Sequence, residues 1–411
     1  MTPPRSTPLP DTPTLLRPRG SNHVGMRQFN ERVVLQAIRL NGSLPKADLA
    51  RLTGLTAQTI GLITARLEED GLILKQEPVR GRIGQPSVPL ALNPDGAFAI
   101  GIKIGRRSAD WLLVDFVGQV RQRESLDYEF PDAATLLPAL GTHLNALHKR
   151  LGKLKDRLVG VGVAAPFQLG GWHKMLGLSD AQSQTWNQID LRAQVQAMTE
   201  VPVSFAKDTS AACVAELVAG RGRDLKSFLY VFIDTFVGGG LVINSHLHGG
   251  LHGNAGAVAS LPSGLAGGKT APAQLVHHAS LWELEQRLIA KDLDPHGAYD
   301  ERALTPDYLP HTQAWVKHAA NALAHAVVSG TAFLDIDAVV IDGSFCRALL
   351  SLLIAQTGLA LQGYNWEGLW PANVIAGNVG PDARALGGAL MPLHANFAPD
   401  QELFLKSGDK P

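Results

Sequence analysis

After residue 93, the same arrangement of predicted strands and helices occurs twice, and this repetition is the feature that most constrains the fold. The first copy begins with a predicted hairpin, AFAIGIKIG followed by WLLVDFVGQV, and continues with a helical segment and the buried strand LVGVGVAAP. The second copy begins with SFLYVFIDTFVGGGLVIN, a strand, turn and strand, and continues with a long helix and the strand AVVIDGS. Hairpins combined with βα units in two copies predict an α/β domain with two lobes around a cleft.

The segment before this domain has a helical pattern instead. Apolar residues three to four positions apart predict a first helix, which ends at Asn41-Gly42 because both residues tolerate the conformation that follows a helix. A second, shorter helix is predicted over about Lys46–Thr53. In this helix we expect Leu49 and Leu52 to face inward.

A third helix and a pair of strands complete the N-terminal segment. The helix is predicted from a Thr56 cap to about Asp70. Two short predicted strands, Leu72–Gln76 and Ser87–Leu92, enclose the loop Val79–Pro86, which contains two glycines and two arginines. Three helices followed by a two-stranded basic wing are typical of a winged helix-turn-helix. The sequence therefore predicts a segment that binds DNA.

Charge is distributed unevenly, although the formal net charge of the 411 residues is zero. Residues 1–92 contain 12 Lys and Arg against 7 Asp and Glu, whereas the remainder contains 25 against 30. A basic segment at one end fits DNA binding there. The two cysteines, Cys213 and Cys346, exclude a disulfide framework and indicate a reducing cytoplasm. No apolar run reaches about 18 residues, so we expect no membrane span.

Six short motifs after residue 93 resemble, in identity and order, the ROK family of bacterial repressors, open-reading-frame proteins and sugar kinases. They are GVGVAAP, WNQIDL, VPVSFAKDTSAACVAEL, VGGGLVIN, GNAGAVAS and VGPDARALGGAL. The N-terminal segment through GRIGQP is similar to the repressor branch of this family. The resemblance implies an actin/hexokinase-type, ribonuclease H-like fold with two lobes and a sugar cleft. It also implies a homodimer or homotetramer.

These features together divide the chain into four expected parts. The first 20 residues are rich in Pro, Thr and Arg and lack an apolar signal core. We expect a disordered tail over 1–22, a winged helix-turn-helix over 23–92, a ROK kinase-like effector and dimerisation domain over 93–400, and a second tail over 401–411.

The motifs depart from those of the family's kinases where metal and phosphate would bind. In the first hairpin the resemblance implies an aspartate, but this chain has Lys103, and a lysine offers only donors and cannot bind magnesium. In the second glycine turn, Asp234 adds a repelling charge and Phe236 adds bulk. These substitutions predict a cleft without catalytic residues, metal or cofactor. Lys103 and Asp234 are its expected charged groups.

The sugar contacts that the resemblance implies are only partly present. Asp208 stands where the family's kinases have their catalytic base, and it can equally cap the helix that follows. Ser260 replaces a histidine, and residues 261–282 contain no cysteine for the family's structural zinc. Trp282 can stack on a sugar face or belong to the core. The resemblance thus leaves Asp208, Asn254, Ser260 and Trp282 as the predicted ligand contacts.

On DNA, the third helix is expected to lie in the major groove with its N-terminal residues at the base edges. Gln58 can bind adenine through two hydrogen bonds, and Ala57 can touch a thymine methyl group. Arg82 can enter a narrow A·T-rich minor groove, or the wing arginines can contact phosphates generically. The predicted contacts are Thr56, Ala57, Gln58, Thr59 and Thr64 on the helix and Arg80, Arg82 and Gln85 on the wing.

Three functions remain open at this point. The first is a DNA-binding regulator, a repressor of carbohydrate-use genes, with a palindromic double-stranded operator and a sugar or sugar phosphate as effector. The second is an active sugar kinase fused to a DNA-binding segment. The third is a scaffold whose C-terminal domain only dimerises the DNA-binding segments.

Lys103 also suggests a replacement for the missing metal. In the kinase fold the first hairpin and the Asp208 strand face each other across the cleft. We therefore expect Lys103 to form an ion pair with Asp208 or Asp234. Alternatively, the lysine extends to water and contacts neither carboxylate.

Overall fold

The computed structural model describes residues 23–78, 87–167, 169, 179, 184–186, 188–265 and 271–399. The chain divides into one unit of residues 1–93 and 397–411 and a second unit of residues 94–396. The predicted tails over 1–22 and 401–411 lie outside the described residues.

The described part of the first unit is built on the helices α1 (His23–Asn41), α2 (Lys46–Thr53) and α3 (Ala57–Glu69). Gly42 follows α1 with φ 76°, a left-handed conformation that suits glycine and ends the helix. Leu49 of α2 is fully buried. The prediction that Leu52 also faces inward is wrong, because this two-turn helix buries one leucine and leaves Leu52 55% exposed.

A three-stranded sheet accompanies these helices, with β1 (Ser43–Pro45), β2 (Ile73–Lys75) and β3 (Pro89–Leu92) in the order β1-β3-β2. All pairings are antiparallel, and Leu90 lies opposite both Leu44 and Lys75. The sequence pattern does not predict β1, because three residues are too few for a recognisable alternation. The loop that carries Arg80, Arg82 and Gln85 lies outside the described residues.

Two five-stranded sheets with the same topology form the second unit, and they confirm the predicted two-lobed α/β fold. In each sheet three strands pair antiparallel and two more add parallel, which is the hairpin-plus-βα pattern of the sequence. The first sheet has the order β6-β5-β4-β7-β8, with β4 (Phe98–Ile104), β5 (Ser108–Asp115), β6 (Val120–Asp127), β7 (Leu158–Ala165) and β8 (Val203–Lys207). The second has the order β11-β10-β9-β12-β13, with β9 (Phe228–Ile233), β10 (Gly238–Ile243), β11 (His246–Leu247), β12 (Ala338–Gly343) and β13 (Asn373–Ala376).

Helices cover both sheets, and each lobe has its own apolar core. Leu140 and Leu144 belong to the core of the first lobe, while Trp315 and Leu349 belong to that of the second. The helices are α4 (Ala133–Arg150), α5 (Leu191–Gln196), α6 (Asp208–Ala219), α7 (Val276–Ala279), α8 (Leu281–Ile289), α9 (Leu309–Leu334), α10 (Arg347–Leu361) and α11 (Ala383–Phe397). Within the described residues, none of the helices combines the length and apolarity needed to cross a membrane.

Close glycine packing places α11 against the first sheet. A Cβ atom at Gly162 of β7 would overlap the carbonyl oxygen of Gly388, and one at Gly387 would overlap that of Ala211. Only glycine permits such an approach of helix to strand and helix to helix. This packing positions the first turn of α11, which carries Arg384, at the cleft between the lobes.

Candidate functional site

A cavity of about 810 Å³ lies between the two lobes of the second unit. One wall comes from the β4–β5 hairpin and β6, and the other from the turn after β9, from α8 and from residues 295–299. The start of α11 closes one end. Lys103 and Asp234, the two charged residues expected in the cleft, both line this cavity.

Lys103 pairs with a carboxylate of its own hairpin. Asp110 lies directly opposite Lys103 in the β4–β5 register. The ammonium Nζ donates to Asp110 Oδ2 at 2.9 Å and to Ser108 Oγ at 2.5 Å. Burial, followed by the nearby Arg384, lowers the pKa of Lys103, and Asp110 opposes that shift.

The expected pairing of Lys103 with Asp208 or Asp234 is wrong, because neither carboxylate lies within 4.0 Å of its ammonium. Arg384 takes that position instead. Its Nη1 lies 2.5 Å from Asp234 Oδ2 and 3.8 Å from Asp208 Oδ2. The physical reason is distance. Asp110 lies opposite Lys103 on the neighbouring strand, whereas Arg384 of α11 lies next to the other two carboxylates.

Arg384 is held from several sides. Its guanidinium carbon lies 5.2 Å from the centroid of the Phe232 ring, and Nη2 donates to Ser344 Oγ at 3.3 Å. Burial alone would lower the pKa of this guanidinium, but Asp234 and Asp208 outweigh burial and raise it. Burial would likewise raise the pKa of Asp234, yet Arg384 and Lys103 hold it below its ordinary value. The pair is therefore charged in this buried site.

A second polar group faces the cavity from the other lobe. Glu285 of α8 is only 4% exposed and accepts a hydrogen bond from the Tyr299 hydroxyl. The Tyr299 hydroxyl also lies 3.1 Å from Thr235 Oγ1. From the first lobe, Arg107 Nη2 lies 3.6 Å from Glu285 Oε2. Burial raises the pKa of Glu285, and Tyr299 and Arg107 oppose that shift.

Phe236, in the glycine turn between β9 and β10, meets an arginine rather than open space. The guanidinium carbon of Arg106 lies 4.8 Å from the centroid of the Phe236 ring, and this arginine lines the cavity. Burial lowers the pKa of Arg106 to about 10, although Asp208 and Asp234 oppose the shift. The turn is thus filled by a stacked cation and ring.

The four predicted ligand contacts do not line this cavity. Asp208 begins α6, and its Oδ1 accepts a hydrogen bond from Thr209 N. Asn254 is exposed and accepts a 3.0 Å hydrogen bond from Lys207 Nζ. Ser260 is exposed, and Trp282 packs against the core of the second lobe. Their roles as ligand contacts stay predictions.

Sequence reasoning missed Arg384, Glu285 and Tyr299. The motif VGPDARALGGAL contains Arg384, but no local pattern shows that its side chain reaches Asp234 on a different lobe. Glu285 lies on an amphipathic helix. A carboxylate on the buried side of that helix is the sequence signal that could have identified it as a site residue. Within the described residues there is no group of three or more His, Cys, Asp or Glu side chains that could hold a metal ion.

In the first unit, the start of α3 presents the predicted DNA-contacting residues. Thr56 caps the helix, with its side chain accepting from Thr59 N at 3.2 Å. Ala57 and Gln58 are exposed. The prediction that Thr64 contacts bases is wrong, because its side chain is buried and donates to the Ile60 carbonyl at 2.8 Å.

Known proteins resemble both units. Residues 30–73 match the family model described as winged helix-turn-helix DNA-binding, and residues 99–263 match the ROK family model. The xylose repressor of Bacillus spizizenii is 24% identical over 233 residues, 56% of this chain and 59% of that protein. The glucokinase of Halalkalibacterium halodurans is 27% identical over 277 residues, 62% of this chain and 82% of that protein.

Among solved structures, the crystal structure of a ROK family transcriptional regulator, a homologue of the E. coli Mlc protein, has a similar fold. The structural alignment covers 91% of this chain and 97% of that chain, with a TM-score of 0.65 and 19% sequence identity. The alignment to the Bacillus repressor spans about three fifths of that protein. The proteins that resemble this chain thus include both repressors and a sugar kinase.

Proposed function

Since residues 99–263 match the ROK family model and residues 30–73 before them match a winged helix-turn-helix model, we propose that the chain is a DNA-binding transcriptional regulator of the ROK family. We propose that it represses carbohydrate-use genes and that a sugar-type effector controls it. The observation that carries this proposal is the joining of the two domains in one chain. A kinase has no use for a DNA-binding segment, whereas a regulator requires one.

The exposed start of α3 supports DNA binding. The Thr56 cap leaves the first turn with Ala57 and Gln58 facing solvent, while Ile60 and Ile63 are buried against the rest of the unit. One side of the helix is therefore available to a major groove. Gln58 is the side chain best suited to read a base edge, because it can both donate to and accept from adenine.

The cavity between the lobes supports control by a small molecule. Its volume of about 810 Å³ falls within the range of small-molecule sites, and both lobes contribute to its walls. A ligand that contacts both walls favours one arrangement of the lobes over others. Xylose, the sugar named for the Bacillus relative, is the first effector to try, followed by hexoses and sugar phosphates.

The same cavity argues against the kinase alternative. Two cations, Lys103 and Arg384, line the cavity, and both already pair with carboxylates. Asp208, the aspartate where the family's kinases have their base, lies 3.8 Å from Arg384.

We further propose that the chain acts in the cytoplasm as a homodimer or homotetramer. Two DNA-binding segments related by a two-fold axis would read a palindromic operator. If the ROK domain served only to dimerise, no sugar would alter DNA binding.

The test is release of DNA by sugars. The full chain is bound to duplexes that it has selected from a random library, and xylose, glucose and their phosphates are then added separately. The proposal predicts that one of these sugars changes the affinity for DNA at least fivefold, in line with ordinary allosteric coupling. DNA binding that none of them alters would favour the scaffold. Consumption of ATP with magnesium and any of these sugars would favour the kinase.

A further inference from the structure

We propose that the cavity between Lys103 and Glu285 is the effector site, and that it takes an uncharged, polyhydroxylated molecule rather than a phosphorylated one. This inference rests on the proposed function in assuming that the chain has an effector. It goes further by placing the effector against Thr235, Glu285 and Tyr299 rather than against Asp208, Asn254, Ser260 and Trp282, which do not line the cavity.

The charges of the cavity wall carry the choice of ligand. The wall contains five Lys and Arg side chains and six carboxylates. Four of the cations have a carboxylate partner on the wall: Lys103 has Asp110, Arg107 has Glu285, Arg123 has Asp382 and Arg384 has Asp234. A phosphate group would therefore meet compensated cations and a slight excess of negative charge. It would have to displace a carboxylate from its partner in a site of low dielectric.

Hydroxyl groups can bind the same side chains without displacing a carboxylate from its partner. Each sugar hydroxyl donates one hydrogen bond and accepts others, and so it can bind a carboxylate and a cation at once. Arg107 and Glu285 are 3.6 Å apart, beyond hydrogen-bond distance, so that both keep capacity for a bridging hydroxyl group. Tyr299 and Thr235 add two side-chain hydroxyls beside them. Paired charged groups with free hydrogen-bonding capacity are suited to vicinal hydroxyls.

Arg384 lies between this cavity and Asp208, one of the residues that the sequence favours. It lines the cavity and also reaches Asp208, which does not line it. Asn254 Oδ1 already accepts a hydrogen bond from Lys207 Nζ at 3.0 Å. A ligand in the cavity would thus contact both lobes through Arg107 and Glu285 without touching Asp208 or Asn254.

The experiment measures thermal stabilisation of the full chain, without DNA, by xylose, glucose, mannose, galactose and N-acetylglucosamine and by their phosphates. The sugar that stabilises most is then titrated against Tyr299→Phe and Glu285→Gln, which remove hydrogen-bonding capacity with little change of shape. Tyr364→Phe is the matched control, because Tyr364 does not line the cavity. Thermal melting without ligand shows whether each variant is folded. If Glu285→Gln does not fold, the sugar titration of Tyr299→Phe decides the test.

We expect an unphosphorylated sugar to stabilise the chain and its phosphate to do so at least tenfold more weakly. Tyr299→Phe should weaken binding of that sugar about tenfold, because one buried hydrogen bond is lost. Tyr364→Phe should leave the binding affinity unchanged. The inference is overturned if a phosphate binds more tightly than its parent sugar or if no sugar in the panel binds. It is also overturned if Asn254→Ala abolishes binding while Tyr299→Phe retains it. Because DNA is absent, each outcome stands apart from a failure of the chain to bind DNA, which would refute the proposed function instead.

Discussion

Arg384 Nη1 lies 2.5 Å from Asp234 Oδ2, and this ion pair joins the first lobe, on which α11 packs, to the turn after β9 in the second lobe. Arg384 also reaches Asp208. One cation thus stands between two carboxylates from different segments, Asp208 at the start of α6 and Asp234 in the turn after β9. The pair links the two lobes.

Removing the arginine should therefore be costly. Arg384→Ala leaves two buried carboxylates without their main cation, and we expect it to lower the free energy of unfolding by about 3–5 kcal/mol. All seven tryptophans lie in residues 94–396, so urea unfolding followed by tryptophan fluorescence reports on this unit. Arg302→Ala is the control, because its pairs with Asp294 and Asp300 are largely exposed and exposed ion pairs add little to stability. Equal losses for the two variants would contradict the structural role of Arg384.

The pair should also make stability depend on pH. The folded-state pKa of Asp234 lies below its ordinary value, so its carboxylate adds stability above the ordinary pKa. That contribution is lost as the pH falls through the folded-state pKa. The stability difference between the wild type and Asp234→Asn should accordingly be constant from about pH 7 to 5 and shrink below about pH 4. A difference that stays constant down to about pH 3 would show that Asp234 is not held ionised by Arg384 and Lys103.

Base reading by α3 predicts opposite results for two of its polar residues. Gln58→Ala should relax specificity at one operator position by about 1–3 kcal/mol, because a bidentate contact is lost. Thr64→Val should leave specificity unchanged, since Thr64 is buried and bonded to the Ile60 carbonyl. Affinities for single-base variants of a selected duplex measure both effects. If Thr64→Val changes base preference and Gln58→Ala does not, the assigned face of α3 is wrong.

Placing an aspartate at position 103 should not produce kinase activity. In Lys103→Asp the hairpin regains a carboxylate, but Arg384 still pairs with Asp234, and Phe236 still fills the glycine turn beneath Arg106. We expect no ADP formation from ATP with magnesium and hexoses in either the wild type or this variant. Turnover in the Lys103→Asp variant would show that a single substitution separates this cleft from catalysis.

The sequence predicts this fold well where the signal is local. The hairpin and βα strands are rich in Val, Ile and Leu, and their turns carry Gly and Asp, so both sheets can be recognised before their pairing is known. The Thr56 cap is local as well, and the structure has it. In contrast, the burial of Thr64 and the exposure of Leu52 depend on how short helices pack, which periodicity over two turns does not resolve.

The candidate site is harder to predict because it depends on contacts between distant segments. The substitution at Lys103 can be read from its motif, but its partner is decided by strand register, which places Asp110 opposite. Arg384 reaches Asp234 from a helix, α11, that lies directly against Gly101 and Gly162 of the first sheet. Such pairs form when the lobes assemble, and no spacing along the chain encodes them.

We expect this chain, whose residues 99–263 match the ROK family model, to recognise a specific DNA sequence as a symmetric regulator. The most direct test is selection of random duplexes by the full chain at physiological salt, followed by sequencing. The account predicts an enriched inverted repeat, with half-sites separated by about one or more turns of the double helix. Recovery of the library without an enriched sequence, or of a single half-site bound with full affinity, would contradict it.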